Sequence, residues 1–171
     1  TYEVGASVPD SMRVAALLAT GGDGAFEAEG QSWTIERRGV EWVISSASGG
    51  EFMELIHQTA RIYQGARLGK GNFVGAYTVI GNDAVVGDYN MIQSYTVIGH
   101  DARIGNWNRI DTHVTCVGGI VVEDDVNIHT GAVISHNVVV ETGAHVGALS
   151  FVFRRVKAGT TVMGNPAKRL T

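Results

Sequence analysis

The chain has 171 residues, 44% of them apolar and 18% charged, with a net charge of −4. That length holds one domain with a modest appendage, and that apolar share supports a packed core and excludes a disordered chain. The acidic balance argues against nucleic acid as a partner, and apolar runs as short as Val14 to Ala19 leave nothing long enough to span a membrane.

Glycine is over-represented: 23 residues against only two prolines, near twice the usual share of roughly 7%. Together with many Val and Ile, this predicts many strands joined by tight turns. The single cysteine, Cys116, makes no disulfide within one chain. With no signal-peptide layout at the N-terminus, the expected location is the cytoplasm.

Residues 1–55 are read as an N-terminal α+β cap. Pro9-Asp10-Ser11 followed by Met12 to Ala19 predicts a capped helix ending at Gly21-Gly22. Ser32 to Ile35 and Val40 to Ile44 alternate apolar and polar residues around Arg38-Gly39, which predicts a hairpin. Trp33 and Trp42 are expected to cover the open first coil of the repeat region, and Glu51 to His57 to form a short helical turn leading into it.

From Ile56 the chain steps by six. Ile56, Ile62, Leu68, Val74, Ile80, Val86, Ile92, Ile98, Ile104, Ile110, Cys116, Val122, Ile128, Ile134, Val140, Val146, Val152 and Ala158 form one column. A second column four residues later is small, β-branched or Asn, and the residue after the large aliphatic is often Gly, as at Gly81 and Gly99. A helix smears a period of six over several faces. One short strand and one turn per six residues explains it. The large aliphatic then points inward, and glycine is expected to permit the bend. Three sides make a triangular coil of eighteen residues, so residues 56–163 form a parallel β-helix of six coils, about 4.8 Å apart. Ladders such as Ile62, Ile80, Ile98, Cys116, Ile134 and Val152 fill it, which makes Cys116 a core residue and not a nucleophile. Residues 164–171 are read as a basic tail. Residues 142–171 hold Arg154, Arg155, Lys157, Lys168 and Arg169 and no acid, which suggests a small polyanionic ligand.

Residues eighteen apart share a corner, so Asn82, His100, Gly118, His136 and Arg154 form one column. Two histidines with a glycine between them suggest a recess where a base stands beside exposed backbone N–H groups. His136 alone reads as an ordinary corner residue. Asp111 and His129, one coil apart, are read as a hydrogen-bonded pair, and His113 is ambiguous.

The [Ile/Val]-Gly-x-x-[Ala/Thr/Asn]-x hexads and the closing Gly164-Asn165-Pro166-Ala167-Lys168 resemble the hexapeptide-repeat acyltransferases. That resemblance implies a left-handed all-β prism, a homotrimer, and active sites between neighbouring prisms. Gln93-Ser94-Tyr95-Thr96-Val97-Ile98-Gly99-His100-Asp101 is similar to the active-site segment of the bacterial sugar O- and N-acetyltransferases, which act on nucleotide-linked amino sugars or sialic acid. The resemblance implies acetyl-CoA as cosubstrate and a sugar or other amine as acceptor. It casts His100 as general base and Asp101 as the acid orienting it. Gly118 becomes the glycine whose N–H meets the thioester carbonyl, Gln93 an acceptor contact, and Arg109, Arg154, Lys168 and Arg169 cofactor contacts. Gln93 departs from the usual Asn of that segment. Residues 1–55 lack the glycines of the Rossmann-like domain such proteins carry, since Val4-Gly5-Ala6-Ser7-Val8-Pro9-Asp10 keeps only an echo of its opening.

Two other readings compete. A zinc hydratase of the γ-carbonic-anhydrase type shares such a prism but needs three histidines at a subunit boundary. His100 and His136 are two coils apart, about 9.6 Å, and Glu141 stands where a paired histidine would be, so no metal is expected. A non-catalytic trimer is the third reading, because the repeat by itself requires no chemistry.

Overall fold

The computed structural model describes residues 2–4, 24–28, 31–38, 41–46 and 55–170. The helix expected between Pro9 and Gly22 and the side chains of Trp33 and Trp42 lie outside the described residues. The expected hairpin is present as Gln31–Arg38 paired antiparallel with Glu41–Ser46. Gly24–Ala28 adds a third strand to its other edge. Leu55–His57 is a strand and not part of a helical turn. Its apolar residues are taken up by parallel pairing with Phe73–Val74 of the next coil.

Beyond it the chain winds as a parallel β-helix of strands mostly two residues long. Three faces repeat in order. The first runs through Leu55–His57, Phe73–Val74, Met91–Ile92, Arg109–Ile110, Asn127–Ile128, His145–Val146 and Thr161–Met163. The second runs from Arg61–Ile62 to Phe151–Val152, and the third from Arg67–Leu68 to Val139–Val140. Two antiparallel strands flank the first face: Tyr2–Val4 beside Leu55–His57, and Lys168–Arg169 beside Thr161–Met163. The C-terminal basic segment thus folds back as a strand after a turn at residues 164–167, with a cis bond at Asn165–Pro166.

The aliphatic column is inside. Every member from Val74 to Val152 is buried, because a two-residue strand turns one side chain in and the other out. Ile80, Ile98, Cys116, Ile134 and Val152 stand in register along the second face. Cys116 is fully buried, and burial pushes its thiol up to about 12.

Two expectations need correction. The glycine after each aliphatic does not make the bend. At Gly99 an added Cβ would lie 2.6 Å from the Gly118 nitrogen of the next coil. Such glycines let successive coils approach. The bend sits two residues further on, at positive φ, and ten of those residues are not glycine, among them Tyr95 (62°), Asp101 (57°) and Trp107 (59°). The hexad also does not run unbroken to Ala158. Val140 bridges Val156, and Val146 pairs Val162, so the last coil is two residues shorter. Val156 is buried in the place assigned to Ala158, which is exposed. The Glu141 carboxylate braces this shortened turn, accepting from Arg155 at 2.8 Å and from the Ala158 N–H at 3.0 Å. Those two hydrogen bonds, Arg155 first, hold its acid strength above the ordinary carboxylate range.

The asparagines of the small column form a buried ladder. Asn72 Oδ1 accepts the Asn90 N–H at 2.9 Å, and Asn90 Oδ1 the Asn108 N–H at 2.9 Å. Asn108 Oδ1 accepts from Val126 at 2.8 Å. Replacing Asn90 by Ala strips partners from Asn72, Asn108 and the Gly105 carbonyl. The expected loss is about 1–3 kcal/mol for each buried group left unmade, read as a lower urea midpoint with an unchanged slope. For Cys116 the folded thiol holds its proton above the ordinary 9.0. Stability is therefore fully present below about pH 9 and falls as pH rises toward about 12. Urea titrations at pH 8 and pH 10 check this: the wild type loses more stability between them than Cys116→Val does.

Candidate active site

The corner between the second and third faces carries the candidate chemistry. Its residues stack as the repeat predicts. Asp101 donates its backbone N–H to the Asn82 carbonyl at 2.9 Å, Gly119 to that of His100 at 2.9 Å, and Asn137 to that of Gly118 at 3.3 Å. His100, Gly118 and His136 therefore occupy three successive coils of one edge.

His100 and Asp101 both face outward, 64% and 66% exposed at their side chains. The His100 Nδ1 lies 2.7 Å from Asp101 Oδ2. A carboxylate only accepts, so Nδ1 carries the proton and Nε2 of the neutral ring offers a lone pair. Asp101 sits at the positive-φ bend of the corner. That backbone turn brings its carboxylate back beside the preceding side chain. The expected recess is closed by the imidazole itself. Gly118 is buried, and a Cβ built on it would lie 2.5 Å from His100 Nε2. Only glycine in the next coil leaves room for the ring.

At four other corner positions the N–H two residues past the aliphatic is taken by a side chain from the next coil. Lys70 donates to Asp88 Oδ1, Asp88 to Asn106 Oδ1, and Asn106 to Asp124 Oδ1, at 2.8, 2.8 and 2.6 Å. Ala76 donates to Ser94 Oγ at 3.1 Å. Among the described residues, no acceptor takes the N–H of His100 or of Gly118. A glycine at 118 supplies no side chain for the first. His136 turns its Nδ1–H to the Gly118 carbonyl at 3.3 Å and supplies none for the second. An unclaimed backbone donor thus lies beneath an oriented imidazole.

Further along the same edge, a cavity of about 190 Å³ opens at the end of the prism. Phe153, Arg154, Arg155, Lys157, Thr160 and Arg169 are among its lining residues. The Arg154 guanidinium carbon lies 5.0 Å from the centre of the Phe153 ring. The structure thus brings Arg154 and Arg169 together and adds Arg155 and Lys157. The excess of cations in residues 142–171 signalled both, but no spacing singled them out. Lys168, paired with Met163 in the final strand, does not line this cavity.

Gln93 and Arg109 stand elsewhere in the single chain. Gln93 begins the corner between the first and second faces, and Arg109 lies on the first face. The Arg109 Nε donates to Asp111 Oδ1 at 2.8 Å, and the His129 Nδ1 lies 3.2 Å from Asp111 Oδ2. That Asp111–His129 contact is the one the eighteen-residue spacing predicted. His113 stacks on Tyr95, which stacks on Tyr77, with centroids 5.0 and 5.1 Å apart. Among the described residues, no three His, Cys, Asp or Glu side chains stand together as a metal-binding group. No helix among them is long and apolar enough to cross a membrane.

No protein-family model matches this sequence, and no curated protein matches it. Solved structures do. PerB from Caulobacter crescentus, crystallised in complex with CoA and GDP-perosamine, is 28% identical with a TM-score of 0.70 over 72% of this chain and 59% of its own. WeeI from Acinetobacter baumannii AYE is 30% identical with a TM-score of 0.67 over 68% of this chain and 57% of its own. The acetyltransferase domain of PglB from Neisseria gonorrhoeae FA1090 is 28% identical with a TM-score of 0.70 over 72% and 60%. The chain thus spans less than two thirds of the length of each. The chain is a parallel β-helix built on a six-residue repeat, and in that repeat and fold it is similar to these structures.

Proposed function

We propose that the protein transfers an acetyl group from acetyl-CoA to an amine or hydroxyl of a sugar or sugar-like acceptor, with His100 as general base. The observation that carries this reading is the juxtaposition at one corner. The imidazole is oriented by Asp101 at 2.7 Å, and its Nε2 lies directly over the glycine whose N–H is unclaimed.

The step follows from that geometry. The acceptor nitrogen or oxygen attacks the thioester carbonyl carbon, and its proton passes to His100 Nε2. Asp101 keeps Nδ1 protonated and stabilises the imidazolium that forms. The carbonyl oxygen gains charge beside the Gly118 N–H. The tetrahedral centre then collapses, the C–S bond breaks, and the leaving thiolate takes the proton back from His100. A positioned base contributes about 10²–10⁴ in rate, and one oxyanion donor about 10²–10³.

The cosubstrate has a path along the same edge. Arg154 lies three coils beyond His100, about 14 Å at the spacing of adjacent strands. A pantetheine arm running past Gly118 and His136 reaches the basic cavity, where Arg154, Arg155, Lys157 and Arg169 meet its phosphates. Lys168 adds charge nearby. Two of the similar proteins support this reading: PerB was crystallised with CoA, and the PglB domain with acetyl coenzyme A. Variants of perosamine N-acetyltransferase with one histidine replaced were also crystallised with CoA and GDP-perosamine, which favours histidine chemistry and a sugar acceptor.

Gln93 and Arg109 are on the far corner and face of the chain, so a role for them requires a neighbouring copy. A homotrimer with sites between prisms meets that requirement, Gln93 touching the acceptor and Arg109 the cofactor. The cytoplasm, where acetyl-CoA is made, is the matching compartment.

Release of CoA thiol in the presence of amino sugars, sialic acids and simple amines tests the reaction. His100→Ala is expected to lower kcat by at least about 10² with unchanged thermal stability. Full activity in that variant sinks the assignment, and acetyl-CoA that neither binds nor stabilises the protein favours a non-catalytic trimer. Gly118→Ala leaves the coil wound, because its Cβ meets only the end of an exposed side chain. It drives the imidazole off the glycine, so turnover falls about as far as in His100→Ala while acetyl-CoA still binds.

A further inference from the structure

Gly118 and Gly119 are the least constrained residues of the corner, because glycine restricts its own φ and ψ least. An oxyanion donor at such a residue needs something to fix the direction of its N–H. The neighbouring coil supplies only a long backbone bond: the Asn137 N–H reaches the Gly118 carbonyl at 3.3 Å, against 2.9 Å for the same bond in the two preceding coils. A side chain makes up the difference. His136 Nδ1 lies 3.3 Å from that same carbonyl oxygen. The carbonyl accepts, so Nδ1 carries the proton, and the ring is held by a contact that leaves Nε2 outside it.

We infer that His136 is a positioning residue for the acetyl-transfer site, tethering the Gly118 peptide so that its N–H stays aimed at the developing oxyanion. The inference rests on the acyl-transfer reading above. His136 takes no proton from the acceptor and does not touch the thioester; it acts through Gly118. Its partner atom is the carbonyl on one side of the Gly118 Cα, and the donor it steadies is the N–H on the other. This separates the two histidines of the column. His100 is bound to a carboxylate and points Nε2 at the reacting centre, whereas His136 is bound to a carbonyl and acts as a strut. It also gives a role to the hydrogen-bonding ring at 136, where four other corner positions have an Asp, Asn or Ser that caps a backbone N–H.

The test compares His136→Ala, His136→Asn and His136→Gln. An asparagine carries an N–H donor at about the reach of Nδ1, and a glutamine places its donor at about the reach of Nε2. His136→Ala is expected to lower kcat about tenfold, a fraction of the full loss of an oxyanion donor, with KM for acetyl-CoA changed less than kcat and the pH profile unchanged. His136→Asn restores most of the rate, and His136→Gln does not. Independently of activity, the Gly118 amide resonance of ¹⁵N-glycine-labelled protein moves in His136→Ala and returns in His136→Asn. A His136→Ala variant with wild-type kcat overturns the role, as does one whose only change is a raised KM for acetyl-CoA, or failure of asparagine to rescue. Failure of the parent reading looks different: the Gly118 amide responds to the substitutions in a protein that transfers no acetyl group, and the positioning role falls with the reaction.

Discussion

Each coil lies on the one before it through backbone hydrogen bonds that hold residues eighteen apart in register, and nearly everything else in the molecule depends on that spacing. A parallel stack in constant register makes every inward position a ladder of like neighbours, so aliphatics meet aliphatics and asparagines meet asparagines. It also makes every corner a column. A side chain at a bend is fixed less by its own segment than by the bend of the coil on either side.

The candidate site has its own arrangement within that regularity. Four corner positions satisfy a spare N–H by taking a short polar side chain from the next coil. At the corner of His100 the polar side chains are exchanged for an imidazole, a glycine and a second imidazole. Two donors are left unclaimed as a result. The deficit is small beside a core that runs the length of the prism. The neighbouring coils and the His136 contact hold this backbone, which limits the rearrangement it would need to meet a charge.

Much of this was legible in the sequence because the period is short and the ladders are chemically uniform. The six-residue step located the faces, buried Cys116, placed Asp111 beside His129, and put His100 one coil from Gly118. What stayed hidden depends on contacts that period alone does not encode. Val156 and Ala158 differ by two residues and are both small and apolar, so the pattern continues whether or not the last coil is shortened. The pairing of Val140 with Val156 and the burial of Val156 show which one turns inward, and Glu141 braces the shortened turn. The bends fall two residues beyond the position that follows the aliphatic, some on glycines such as Gly119 and ten on other residues, among them Tyr and Trp, which rarely adopt positive φ. The closing of the Gly118 recess by the His100 ring is a side-chain orientation, and no spacing predicts it. Gln93 and Arg109 are close to His100 along the chain, while the winding carries them to another corner and another face of the prism.

The two antiparallel strands that flank the first face set the length of the particle. A parallel stack has no intrinsic end: its last coil offers the same row of donors and acceptors as every coil inside, and an identical molecule would extend it, as in a growing fibril. Tyr2–Val4 and Lys168–Arg169 run against the winding at opposite ends. A strand of reversed direction presents a hydrogen-bonding pattern that the parallel register cannot continue. On the first face, then, the polymerising tendency of the repeat is opposed by chain direction at both ends.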